Sequence, residues 1–103
     1  MSDNRSLFPV PLSEVRWIEA DRNYVHIHSG NGTHRMRERI GHLETLLDPG
    51  RFARIHRSTI VNLDCVRELQ SWFSGDAVLL LDDGTRLGLS RSYRDAVERR
   101  LKV

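Results

Sequence analysis

Alternating and periodic apolar positions divide the 103-residue chain into short segments, most of them strand-like. Val15–Ala20 and Tyr24–Ser29 concentrate β-branched and aromatic residues, which suit a half-buried pleated surface, and both predict strands. Asp21-Arg22-Asn23 between them is a polar link of turn-forming type. Ser29-Gly30-Asn31-Gly32 contains Asn-Gly, which tolerates the positive φ of a tight hairpin, so Thr33–Arg37 is expected to return as the paired strand. Further strands are predicted over Phe52–Ile55, Thr59–Leu63 and Val66–Leu69. Val78–Leu81 and Arg86–Leu89 flank a second hairpin signal, Asp82-Asp83-Gly84-Thr85.

Two stretches change period. Ile40, Leu43, Leu46 and Leu47 fall on one helical face, and Asp48-Pro49-Gly50 stops that helix. Tyr93, Ala96, Val97, Arg100 and Leu101 recur at helical spacing, with Ser92 and Asp95 spaced as a capping pair. Leu7–Leu12 holds two prolines, which break a helix and predict an extended opening segment. The expected class is mainly β with one or two short helices. Its core is assigned to Trp17, Ile18, Val25, Ile27, Leu43, Leu46, Phe52, Ile55, Ile60, Val61, Leu79, Leu81, Leu89, Val97 and Leu101. Asn62 reads as a turn or buried hydrogen-bonding residue. Trp72 and Phe73, in the polar connection Gln70–Gly75, read as a lid over the core, with an exposed partner-binding patch as the alternative.

Composition narrows the class. A chain this short holds one core, so residues 1–103 are expected to form one domain. With 39% hydrophobic and 29% charged residues it sits in the globular range. Cys65 is the lone cysteine, which excludes an internal disulfide and a cysteine zinc site. No apolar run approaches the roughly 18 residues of a membrane span, and the polar start is unlike a signal peptide, so no membrane partner and a cytoplasmic address are expected.

The net charge of +2 conceals a pattern. Residues 22–39, 51–67 and 86–103 carry +3, +3 and +4, while 1–21, 40–50 and 68–85 carry −2, −2 and −4. Fifteen of the sixteen basic residues are arginine. If the fold gathers the three basic blocks, a focused positive face results, which suits a polyanion.

Catalytic and metal constellations are weak by comparison. His26, His28 and His34 alternate on a hairpin and could in principle bind zinc, but no carboxylate completes a motif. His56, Ser58 and Asp64 lack the strained elbow that aims a nucleophile at its base. Gly30-Asn31-Gly32 lacks the further glycine and lysine of a phosphate loop, and Asp82-Asp83 sits in a turn. Neither an enzymatic activity nor a cofactor is expected. Arg54, Arg57, Arg91 and Arg94 instead cluster with hydroxyls in Ile55-His56-Arg57-Ser58-Thr59 and Leu89-Ser90-Arg91-Ser92-Tyr93-Arg94. That mixture contacts phosphates and base edges, and arginine's planar fork pairs bidentately with guanine.

Trp17-Ile18-Glu19-Ala20, Asn23-Tyr24-Val25, Phe52-Ala53-Arg54-Ile55-His56-Arg57-Ser58, Ile60-Val61-Asn62, and Gly84 followed by Leu89-Ser90-Arg91 occur in the order and spacing of LytTR domains. From about residue 8 to 101 the chain resembles these DNA-binding output domains of LytR/AlgR-like response regulators. The resemblance implies an elongated arrangement of small antiparallel sheets that binds double-stranded promoter DNA through loops in successive major grooves. It further implies two copies on direct repeats and an upstream receiver or sensor domain. Carried over by position, it makes Arg22 and Asn23 one contact loop and Arg57 a base reader, with His56 and Ser58 beside it. Arg91 becomes a second base reader, with Ser90 and Arg94 on the backbone. The family's first strand, usually found before the Phe8–Val10 equivalent, is expected to be missing. The competing reading is a β-rich interaction or anti-activator module working through Trp72, Phe73 and the acidic 68–85 segment.

Overall fold

Ile18 faces Ile27 on one neighbouring strand and Ile60 on the other, and this row of fully buried isoleucines forms the middle of a five-stranded antiparallel sheet. The computed structural model describes residues 6–7, 10–72 and 76–101. The Phe8–Pro9 part of the opening segment and Phe73 of the expected lid lie outside the described residues.

The described strands are β1 (Ser6–Leu7), β2 (Val10–Pro11), β3 (Val15–Asp21), β4 (Tyr24–Ser29), β5 (Gly32–Arg37), β6 (Phe52–His56), β7 (Thr59–Asn62), β8 (Val66–Ser71), β9 (Ala77–Leu81) and β10 (Arg86–Leu89). The helices are α1 (Ile40–Leu46) and α2 (Arg91–Leu101). The large sheet runs β5-β4-β3-β7-β6, a second runs β10-β9-β8, and β1 pairs with β2. The molecule is elongated, 41 × 29 × 24 Å along its principal axes.

Strand alternation sorts the apolar residues into two cores on opposite faces of the large sheet. One face carries Ile18, Val25, Ile27, Phe52 and Ile60 against Val10 and the α1 residues Ile40 and Leu43. The other carries Ala53, Ile55 and Val61 against Leu79, Leu81, Leu87, Leu89 and the α2 residue Val97. β7 is therefore buried on both sides, which explains its nearly unbroken apolar run. Each fully buried aliphatic side chain contributes about 1.5 to 3 kcal/mol, so neither face is dispensable.

Asn62 ends β7 and is 2% exposed. Its Nδ2 donates to the Val15 carbonyl at 2.8 Å and its Oδ1 accepts from the Asp64 N–H at 3.0 Å. It thus joins the start of β3 to the turn after β7. At the tip of the β9–β10 hairpin Gly84 takes φ 93°. The Thr85 backbone N–H donates to Asp83 at 3.0 Å, and this bond holds the Asp83 carboxyl below its usual range.

Several expectations are corrected. The β4–β5 hairpin turns on Gly30-Asn31, one residue earlier than Asn31-Gly32, because Ser29 Oγ accepts from the Asn31 N–H and donates to the Gly32 carbonyl. Gly32, with φ 128°, already opens β5. Leu46 is 59% exposed: α1 ends there, the extended backbone of Leu47 turns that residue into the core, and the buried set becomes Ile40, Leu43 and Leu47. Trp17 and Leu101 are only half-buried, packed at the margin of the second core. Trp72 is 59% exposed and does not form a lid.

Asn62→Ala leaves the buried Val15 carbonyl without its donor and should destabilise the fold by about 1 to 3 kcal/mol. Urea unfolding, with an unchanged slope, is the measurement.

Candidate nucleic-acid interface

Antiparallel pairing fixes which turns share an end. Asp21 pairs with Tyr24, leaving Arg22 and Asn23 as the two-residue turn from β3 to β4. His56 pairs with Thr59, leaving Arg57 and Ser58 as the turn from β6 to β7. Because β3 pairs with β7 through Glu19 and Thr59, both turns lie at the same end of the sheet. Their centres are two strand spacings apart, roughly 10 Å. The Ala20 N–H donates to the Ser58 carbonyl at 2.8 Å and binds the two turns together. The Ser90 N–H donates to the Ile55 carbonyl at 2.8 Å and places the start of α2 beside the second turn. His56, Gly88, Ser90, Arg91 and Ser92 line a shallow depression there.

The arginines at this end divide into two groups. Arg22, Arg57 and Arg91 are exposed, and among the described residues none of them holds an ion pair or a side-chain hydrogen bond. Arg54 is different. Its Nη1 pairs with Glu44 of α1 at 2.6 Å, its Nε donates to the His56 carbonyl at 3.0 Å, and its Nη2 donates to the Arg57 carbonyl. It clamps the β6–β7 turn from behind. Arg94 likewise bonds Glu98 at 2.8 Å and Ser71 Oγ at 2.6 Å, which ties α2 to the β8–β9 end. The structure thus places Arg22, Asn23, His56, Arg57, Ser58, Ser90 and Arg91 together, with Arg54 and Arg94 engaged within the protein.

Smaller contacts shape the turns. Ser58 Oγ lies 2.9 Å from His56 Nδ1, which also accepts from the Ser58 backbone N–H at 3.2 Å. That pairing stiffens the base of the Arg57 turn. Ser90 Oγ accepts from the Ser92 N–H at 3.3 Å, so Ser90 caps α2 and the expected Ser92–Asp95 pair does not. Arg22 has φ 60°, a conformation that glycine normally supplies at the first position of a two-residue hairpin turn.

Charge is sorted along the molecule. Asp64, Asp82 and Asp83 lie on turns at the opposite end, where they pair with Arg51 and Arg16. The Asp82 N–H donates to the Cys65 carbonyl at 2.9 Å, closing that end as Ser90 closes the other. The histidines of the hairpin are engaged separately. His26 meets Asp21 at 3.2 Å, while His28 meets Glu19 at 3.0 Å and stacks on Trp17. Among the described residues no group of three His, Cys, Asp or Glu is placed to hold a metal ion. No described helix is long and apolar enough to cross a membrane. Two exposed arginines of the 22–39 block, Arg35 and Arg37, went unnoticed in the sequence, although the hairpin length already sets Arg37 opposite Tyr24.

Replacing Arg22 by glycine relieves the left-handed strain, about 1 to 2 kcal/mol, against a glycine entropy cost of about 0.5 to 1. Arg22→Gly should therefore raise unfolding stability by about 0.5 to 1 kcal/mol. Thermal unfolding of the variant beside the parent checks the sign.

The LytTr DNA-binding domain family matches residues 5–102. A solved structure described as the LytTr DNA-binding domain of a putative methyl-accepting/DNA response regulator from Bacillus cereus superposes with a TM-score of 0.85 and 28% identity, over 92% of this chain and 87% of that one. The sensory transduction protein LytT of Bacillus subtilis is 23% identical over all of this chain and 43% of its own length. The transcriptional regulatory protein LytR of Staphylococcus aureus (strain MW2) is 34% identical over 65% of this chain and 27% of its own length. The chain therefore spans less than half the length of the LytT and LytR proteins. Its arrangement of small antiparallel sheets, and the match across nearly every residue, make it a member of the LytTr DNA-binding domain family.

Proposed function

We propose that the chain binds double-stranded DNA sequence-specifically and acts in bacterial transcription regulation, with no enzymatic step and no cofactor. The observation that carries this is the set of Arg22, Arg57 and Arg91, exposed and without side-chain partners among the described residues, on segments bonded to one another at one end of the molecule. A free guanidinium on a rigid turn suits bidentate reading of guanine in a major groove. Arg57 and Arg91 are the base readers in this reading. Arg22 and Asn23 form a third contact, and His56, Ser58 and Ser90 support the turns or touch phosphate.

Arg54 and Arg94 act through the protein: Arg54 fixes the turn that carries Arg57, and Arg94 anchors α2 behind Arg91. Binding through loops in successive major grooves is part of the proposal, and its support is that the three segments share one end of the molecule and are bonded to one another. Two copies on direct repeats, and a receiver or sensor domain in a longer protein, complete the proposal; the greater length of the relatives supports the second.

Selection from a random duplex pool should return a short repeated motif. On that motif Arg57→Ala or Arg91→Ala should each cost about 1 to 3 kcal/mol and flatten the preference at one base pair. Equal losses on selected and random duplex would remove base reading from the proposal. With about five phosphates neutralised, affinity should fall with salt at a log–log slope of about −4 to −5. The exposed Trp72 supports one rival, an interaction module; in that case Trp72→Ala abolishes function while Arg57→Ala and Arg91→Ala leave it intact.

A further inference from the structure

The pairing that brings the three turns to one end also places a fourth position there. β5 is the outer strand of the large sheet, and its register with β4 sets Arg37 opposite Tyr24 and Arg35 opposite His26. Tyr24 is the first residue after the Arg22–Asn23 turn, so Arg37 ends β5 at the level of that turn. Counted across the sheet, the order at this end is Arg37, Arg22, Arg57 and then Ser90–Arg91.

Strand alternation gives Tyr24, Arg35 and Arg37 the same face, with His26, Glu19 and Asp21 alongside. On that face the acids are already matched: Glu19 meets His28 at 3.0 Å and Asp21 meets His26 at 3.2 Å. The arginines are not. Arg37 is exposed and its side chain holds no ion pair or hydrogen bond among the described residues, and the Arg35 guanidinium lies 4.1 Å from the centre of the Tyr24 ring. An arginine stacked on a ring keeps its five N–H donors while losing much of its rotamer freedom, so less order remains to be imposed when an anion binds. An edge strand carrying two unmatched cations also resists pairing with a further strand, which leaves this margin open to a ligand.

We propose that the β5 edge, through Arg37 and the Tyr24-stacked Arg35, is a backbone-tracking flank of the duplex interface that binds phosphates beside the Arg22 turn without reading sequence. The inference rests on the DNA-binding reading above and extends the contact surface beyond the three turns. It assigns the two kinds of work to different elements. The turns at Arg57 and Arg91 discriminate among bases, and the β5 edge holds the register of the protein on the duplex.

The test is a salt titration of the whole chain on the selected duplex and on a random one. Arg37→Ala and Arg35→Ala should each make the log–log slope shallower by about 0.9, the contribution of one phosphate. Between 50 and 200 mM salt each variant should then lose about threefold less affinity than the parent. The fractional loss should be the same on both duplexes, so that discrimination survives. Tyr24→Leu removes the ring beneath Arg35 and should weaken binding on both duplexes while keeping the parent slope.

Arg67, exposed near the start of β8 at the acidic end, is the control, and Arg67→Ala should leave the slope unchanged. An equal change for Arg67→Ala and Arg37→Ala would reduce the effect to net charge and overturn the proposal. So would a parent-like slope in Arg37→Ala and Arg35→Ala while Arg57→Ala still abolishes discrimination. A parent chain that binds no duplex at all would instead remove the DNA-binding reading, and this extension with it.

Discussion

Two backbone hydrogen bonds decide what this surface can do: Ala20 N–H to the Ser58 carbonyl, and Ser90 N–H to the Ile55 carbonyl. They cross between segments as far apart in the chain as residues 20, 58 and 90. Each exists only because β3, β6 and β7 are held in register by cores on both faces of the large sheet. β7 is the strand common to both cores, and its doubly buried residues leave it little freedom to slip. A one-residue shift would turn Ile60 and Val61 to the wrong faces and separate the turns that those bonds join.

Within that frame arginine serves two opposite purposes. Arg54 and Arg57 are three residues apart, yet one is tied into carbonyls and a carboxylate while the other has no side-chain partner among the described residues. The tied residue holds the turn that carries the other, and an exposed guanidinium on a loose loop would lose much of any binding energy to ordering. Glu44 completes the clamp from α1, so the helix on one face of the sheet is linked to the turn at its end. Arg22 adds a local contradiction: its left-handed backbone is unfavourable for a side chain, and the turn retains one. Strain of that kind clusters at ligand-binding and active sites, in keeping with the contact role proposed for Arg22.

Segregated charge follows from the same topology. Antiparallel strands send alternate turns to opposite ends, and here the basic turns go one way and Asp64, Asp82 and Asp83 the other. A nearly neutral molecule thereby acquires a direction in the field of a polyanion, which orients encounters before any specific contact forms. Asp21, with His26 against it, and Asp76, beside Ser90 and Arg91, depart from this sorting.

The strand and helix order, the β9–β10 hairpin and most of the buried residues were legible in the sequence, because period and turn chemistry are local properties. Fine placement was not. Ser29 moved the β4–β5 turn by one residue, the end of α1 exposed Leu46, and Ser90 displaced Ser92 as the helix cap. Family motifs singled out Arg57 and Arg91 as base readers and set Arg94 on the DNA backbone, but they did not foretell that Arg54 and Arg94 are bonded within the protein. Those four differ only in what the rest of the fold brings within reach of each guanidinium. By itself, then, the chain determined which segments are strands and where its positive charge is concentrated. Which charges remain free, and that Arg37 ends β5 beside Arg22, was decided by sheet register and long-range bonds, whose energies depend on residues distant in the chain.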